Sequence, residues 1–204
     1  MPWQKNFDVD EALAKAGEAF WTHGYEATSL CDLLDAMGIR KGSFYDTYGS
    51  KKDAYLKALQ RYVDERFAAF RAMIDGESPR QSIESMLRSI YRECVSPDGH
   101  RGCMVINCAL ELAHDDEDAR GLVRRTFRAH EALFAKQIRA AKDAGELGAD
   151  LDAAATAKVL MAMVMGMRVY ARSGAGRATL HTLLDQALHL LEPAVHTENK
   201  GRES

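Results

Sequence analysis

Residues 28–52, TSLCDLLDAMGIRKGSFYDTYGSKK, decide how the chain reads. Thr28 and Ser29 stand before an apolar run and can accept from free backbone N–H groups. Asp32, three residues after Ser29, completes a capping box, so a helix starts here. Leu30, Leu33, Leu34 and Met37 share its buried face. Gly38 follows where helices commonly end in a left-handed residue, and Ile39 anchors the turn. A second short helix is predicted from Lys41 to about Tyr48, and two helices joined this tightly read as helix-turn-helix. Ser43, Tyr45, Thr47 and Tyr48 give this helix hydroxyls, with Arg40 and Lys41 at its start and Lys51 and Lys52 beyond its end. Hydroxyls and cations are the groups that phosphate contacts need, and a helix of this kind can also present side chains to base edges. From periodicity alone, the alternative is an amphipathic helical hairpin with a solvated polar face.

Phe20, Gly24, Tyr25, Thr28, Gly38, Gly42, Phe44, Tyr45, Tyr48, Ser50 and Lys51 closely resemble the N-terminal signature of the TetR family of transcriptional regulators. That resemblance implies an all-α protein. A three-helix, helix-turn-helix DNA-binding domain would be followed by a helical ligand-binding and dimerisation domain, about nine helices together. It implies a double-stranded DNA operator, palindromic for a dimer, with a small-molecule effector and a cytoplasmic location. Thr28, Arg40, Lys41, Ser43, Tyr45, Thr47, Tyr48 and Lys51 become the candidate DNA-binding residues, Tyr45 and Lys51 at positions where the family contacts phosphates. Three positions depart from the pattern. Arg40 stands where Ser or Thr often caps the recognition helix, Thr47 replaces a frequent His, and Tyr48 a frequent Phe. These departures bear on the operator sequence rather than on the mode of binding.

Charge is local rather than global. The 204-residue chain has a formal net charge of -3, yet between Gly38 and Asp53 the cations Arg40, Lys41, Lys51 and Lys52 face Asp46 alone. A focused basic patch suits a small DNA-reading module, with weaker non-specific affinity than an evenly basic domain would have. A hydrophobic content of 47% is enough for a substantial core. Residues 1–10 have no apolar signal region, and the longest uncharged apolar run, Val159 to Met167, is far short of the ~20 residues of a membrane span, so no membrane partner is expected. Cys31, Cys94, Cys103 and Cys108 have no CxxC spacing and fit a reducing compartment.

Outside the opening stretch, helical spacing continues throughout. Val9, Leu13, Ala16 and Phe20 form the stripe of a first helix that Gly24 stops. Ser50 and Asp53 open a long helix whose stripe runs through Leu56, Leu59, Val63, Phe67, Phe70 and Ile74 to Gly76, a lever shared by two domains, divided as 1–52 and 53–192. Further helices are predicted from Pro79, over Cys103–Ala113, over Asp116 to about Ala144, over Ala153–Ser173 and over Leu180–Leu191, with Ser96–Gly102 a loop. Residues 193–204 form a polar tail expected to be disordered.

Two features of the second domain carry function. Leu160, Val164, Leu180, Leu184, Ala187, Leu188 and Leu191 suggest a self-complementary face that pairs two copies into a four-helix bundle, the alternative being an intrachain core. Met86, Tyr91, Cys103, Met104, Asn107, Phe127, His130, Phe134, Met163, Met167 and Tyr170 could line an adaptable ligand cavity, each being singly explicable as core. Cys103 adds a redox or electrophile-sensing reading. It opens a helix beside Arg101 and His100, with Cys94 and Cys108 as resolving thiols, although a free Cys is commonly a small buried hydrophobe. The rival class is a metal-carboxylate enzyme around Glu111 and His114, one E-x-x-H where a di-iron bundle needs two. No Walker, HExxH, GxSxG or dinucleotide motif is present, and no cofactor or metal is expected.

Overall fold

The computed structural model describes residues 7–192 and is all-α over them, so the tail at 193–204 lies outside the described residues. Within them nine α-helices run in order: α1 Val9–His23, α2 Leu30–Met37, α3 Lys41–Tyr48, α4 Lys51–Ile74, α5 Pro79–Cys94, α6 Met104–Glu111, α7 Glu117–Asp143, α8 Ala153–Arg172 and α9 Arg177–His189. The loop expected at 96–102 is wound into a 3-10 turn, Pro97–Arg101.

Local signals start and stop the first helices. Asp8 caps α1 through the N–H groups of Asp10 and Glu11 at 2.9 and 3.0 Å. Ser29, rather than Thr28, caps α2. Its hydroxyl accepts from Asp32 N–H at 3.1 Å while the Asp32 carboxylate accepts from Ser29 N–H at 2.8 Å. Gly38 takes the left-handed conformation (φ 67°, ψ 31°), and the N–H groups of Gly38 and Ile39 both reach the Leu34 carbonyl. The box expected at α4 is half built: Asp53 N–H donates to Ser50 Oγ at 3.0 Å, but the Asp53 carboxylate accepts from the Ser50 hydroxyl instead of the cap amide.

Packing yields two apolar cores, both of which draw on α4. The head core gathers Ala12, Ala16, Phe20, Leu33, Met37, Phe44 and Tyr48 with the first half of α4, then adds Met104, Val105 and Cys108 from α6 and Ala119, Leu122 and Val123 from the start of α7. The body core takes α5, the rest of α7, α8 and α9, joined by Phe70 near the end of α4. The division therefore crosses α4 between Val63 and Phe70 and α7 between Val123 and Phe134. A segment far beyond the helix-turn-helix in the chain is built into its core. By length and composition the 20-residue α8 is apolar enough to cross a membrane, a property the interrupted apolar run concealed. Here eight of its residues are buried, among them Arg168, and it packs against α5, α7 and α9 as a core helix.

Candidate nucleic-acid interface and buried cavity

Phe44 and Tyr48, one turn apart, turn the apolar side of α3 into the head core. The opposite side leaves Arg40, Lys41, Tyr45 and Asp46 exposed, with Ser43 and Thr47 half-buried beside them. Tyr45 is 45% exposed, its ring edge-on to Phe44 at 5.6 Å. Arg40 occupies the N-cap without a side-chain cap bond, as its residue type implies. Thr47 Oγ1 is buried with no hydrogen-bond partner. Lys51 Nζ lies 4.4 Å over the Tyr25 ring.

Three residues read from the sequence as part of this surface are placed elsewhere. Tyr48 is 3% exposed and its hydroxyl donates to the Val9 carbonyl at 2.9 Å, so it ties α3 to α1. Thr28 is buried and its hydroxyl donates to the Gly24 carbonyl at 2.5 Å, bracing the α1–α2 corner. Lys52, counted in the basic patch, is neutralised by Asp116 at 2.8 Å and Asp118 at 3.3 Å. Those partners raise the Lys52 pKa, and the Lys52 ammonium in turn holds the Asp116 carboxyl below its usual range. The reason in each case is helical phase or a distant partner, neither of which a motif encodes.

Two further contacts tie the head to α6 and to the 3-10 turn before it. The Glu111 carboxylate, on α6, accepts from Tyr25 N–H at 2.6 Å and Glu26 N–H at 3.4 Å, and it lies where a Cβ on Gly24 would sit. That use accounts for the acid of the E-x-x-H pair. His114 is exposed beside Asp115, and among the described residues no cluster of three or more metal-ligating side chains occurs. The second contact grips α1. Trp21 Nε1 donates to the Gly102 carbonyl at 3.1 Å, Arg101 stacks over the Trp21 ring at 3.8 Å, and its guanidinium bonds Glu18 at 2.7 Å. Asn107, expected at a ligand, instead donates to the Arg101 carbonyl at 3.1 Å, as Arg172 does at 2.7 Å.

Between the two cores lies a cavity of about 60 Å³. Of the residues expected to line it, Cys103, Phe127, His130 and Phe134 do. Met86, Tyr91, Met104, Asn107, Met163, Met167 and Tyr170 do not. Met86, Met104 and Met167 are core, Tyr91 packs edge-on to His181 at 5.8 Å, and Tyr170 is 48% exposed. Phase again decides: on α8 the inward stripe is Met161, Val164, Met165 and Arg168, so Met163 and Tyr170 point away. Sequence reading also missed the wall that α4 supplies through Tyr62, Val63, Arg66 and Phe70. Their regular spacing is the available signal, but a lever shared by two domains accounts for that spacing equally well.

The polar groups of the cavity are mostly engaged. Glu93 takes both Arg66 (2.6 Å) and Arg168 (2.7 Å). Burial opposes the Arg168 charge, and the Glu93 carboxylate beside it is the countercharge that helps keep it protonated. Cys103 is the N-cap residue of α6 and half-buried, whereas Cys94 and Cys108 are buried. Burial raises the thiol pKa of both, to about 11 for Cys108.

The face expected to self-associate is also corrected. Leu160, Leu180, Leu184, Ala187 and Leu191 are buried inside the single chain, Leu188 is half-buried against the same core, and Val164 faces the cavity. What α8 leaves outside is Val159, Ala162, Val169 and Tyr170, with Gly166 half-buried among them and Val169 48% exposed.

Residues 12–56 match the tetR family of bacterial regulatory proteins, and residues 80–191 match the tetracyclin repressor-like C-terminal domain. The chain is 35% identical over 194 residues to YezE, an uncharacterized HTH-type transcriptional regulator of Bacillus subtilis (strain 168), covering 92% of this chain and 98% of that one. It is 31% identical over 190 residues to the HTH-type transcriptional repressor ComR of Escherichia coli (strain K12), covering 91% and 90%. Among solved structures, a cysteine mutant of the TetR family regulator CifR, complexed with 26bp double-strand operator DNA, aligns with a TM-score of 0.82 at 31% identity over 92% of this chain and 98% of that one. E. coli NemR in its reduced form shares the fold, with a TM-score of 0.81 at 20% identity over 91% and 98%. With both halves matched, the chain belongs to the TetR family of transcriptional regulators.

Proposed function

We propose that this DNA-binding regulator is a cytoplasmic, dimeric repressor, released from a palindromic operator by a small apolar or thiol-reactive effector. The repressor sign follows the named repressor ComR. In this reading α3 enters the major groove. Arg40, Lys41, Tyr45 and Lys51 neutralise or bond phosphates, and Ser43 meets base edges, while the buried Thr47 hydroxyl would have to turn outward to join it. Two copies pair through the outward face of α8, where Val159, Ala162, Gly166, Val169 and Tyr170 keep helical spacing.

The observation that carries ligand response is the position of the cavity. It touches both cores, and α4 and α6 each contribute a wall to it and a side to the head. A ligand releases DNA only if it binds the released geometry more tightly. At about 60 Å³ the cavity is under half the ~150 Å³ that admits benzene, so a ring-sized effector must push its walls apart. Cys103 is the reactive group in this reading. Its sulfur adds to one carbon of an activated C=C bond: a C–S bond forms as the C=C π bond and the S–H bond break, and the thiol proton ends on the neighbouring carbon. Arg101 and Gly102, which hold Trp21 of α1, directly precede it.

The test is a gel shift and footprint on DNA flanking the gene, with and without N-ethylmaleimide. Cys103→Ser is expected to keep the operator bound after treatment while wild type lets go. Equal release from both excludes Cys103 as sensor, and no release from either leaves a reversible ligand. Lys51→Ala is expected to weaken binding to all sequences and lower the salt slope by about one. Unchanged affinity and salt dependence would argue against this docking.

A further inference from the structure

His130 is the polar group of the cavity that DNA release through Cys103 leaves without a role. Its Nδ1 lies 2.9 Å from the Thr126 carbonyl, its own backbone neighbour one turn back on α7. A carbonyl only accepts, so Nδ1 carries the proton, and the neutral ring presents a bare lone pair on Nε2. The ring is held in place by Phe67 (centroids 4.3 Å apart) and Phe70 (5.8 Å, edge-on), both on α4. Burial, with Arg168 across the cavity, favours the neutral form over the charged one.

Most other polar groups of the cavity are already engaged. Thr126 Oγ1 donates to the Leu122 carbonyl at 2.9 Å, and Arg66 and Arg168 both bond Glu93. Among the described residues, no protein donor bonds Nε2. The rest of the wall is apolar, with Val63, Phe70, Ile90, Phe134 and Met161 facing in.

Resting on the cavity being the effector site, we propose that its ligand is an apolar compound bearing a hydroxyl donor, an alcohol or phenol, which His130 Nε2 accepts. A purely apolar ligand displaces water from Nε2 and leaves a buried acceptor unpaired, so it is rejected by more than the hydrogen bond alone is worth. Met161 and Met165 on the facing helix are the side chains able to re-pack around the bound skeleton.

Phenol and fluorobenzene test this, because they match closely in size and only phenol donates. Binding of each to the full-length protein is measured by calorimetry near pH 8, in wild type and in His130→Phe. Wild type is expected to prefer phenol by roughly five- to tenfold, and the variant to lose that preference. Wild type alone supplies a second readout. Acidification below the ordinary imidazole range puts a proton on Nε2, while Arg168 on α8, Arg66 and Tyr62 on α4 and Cys103 at α6 share the cavity with it, and the preference for phenol should shrink. Equal binding of the two probes in wild type, no binding of either, or a preference that survives in His130→Phe and at low pH would overturn the inference. A gel shift run in parallel separates the two readings. Discrimination without operator release leaves the role of His130 standing and overturns only the effector function of the cavity.

Discussion

The head core and the body core solve the packing problem with different materials. In the head, Phe20, Tyr25 and Tyr55 pack ring against ring at centroid distances of 5.0 to 6.2 Å, and Phe44 and Tyr48 lock α3 at 5.5 Å. Rings have few rotamers and geometric preferences, so this core holds one arrangement. The body core is aliphatic and methionine-rich, with Met86, Met161 and Met167 buried in it, and the cavity lies along its border with the head. Thioethers on unbranched chains re-pack at little cost. The contrast suits the proposed division of labour, a rigid DNA-reading surface joined to an adaptable effector-binding region. The α6 helix joins the two, because Met104, Val105 and Cys108 pack in the head while Val105, Ile106 and Cys103 line the cavity.

That contrast can be broken by mutation. The largest effect is expected from Phe44→Ala, which removes a fully buried ring from the rigid core and should cost about 3–5 kcal/mol in urea unfolding, taking operator binding with it. A loss under about 1 kcal/mol would mean that α3 is not anchored as described. Next comes Glu111→Ala, which strands the Tyr25 N–H at the α1–α2 corner. A cost of about 1–3 kcal/mol is expected, with weaker DNA binding from the looser corner. In the adaptable half, Met161→Leu should cost less than about 1.5 kcal/mol, and a larger penalty would make that core as rigid as the head.

Two further tests sharpen the picture. Val169→Asp should yield folded monomers with weakened operator binding by sedimentation and gel shift, because Val169 is outside, whereas Leu184→Asp should unfold the chain because Leu184 is inside. Folded Leu184→Asp monomers would restore the interface that the sequence pattern suggests. The pH dependence of stability tests His130. Its folded-state pKa is lowered by burial, so between that value and about 6.5 the unfolded chain binds more protons. Stability is therefore full above about pH 6.5 and falls as pH drops through the window beneath it. His130→Phe should flatten that part of the thermal melting profile, and an unchanged slope would place the linked proton elsewhere.

Local chemistry was legible in the sequence wherever one helical turn is enough to define it. Ser29 with Asp32, Gly38 with Ile39, and Pro79 mark helix ends through chemistry between neighbours in the chain, and the structure places helix ends at all three, Ser78 capping the helix that Pro79 opens. Helix identity and order, the exposed Tyr45 and the missing cap at Arg40 follow from the same short range. Which side of each helix would be inside depends on partners far away. The apolar residues of α8 and α9 cover more than one face, so the sequence alone could not say that Leu160 and Leu184 turn inward while Val169 and Tyr170 turn out. Nor could it bring Glu111 to Tyr25, 86 residues away, or Asp116 to Lys52, 64 residues away. The α4 wall of the cavity depends in the same way on the phase of a long helix. The sequence alone determined that the chain is a helical protein carrying a DNA-reading hairpin. Only the tertiary structure decided which walls enclose the cavity, because burial depends on the surfaces that meet and not on the residues next along the chain.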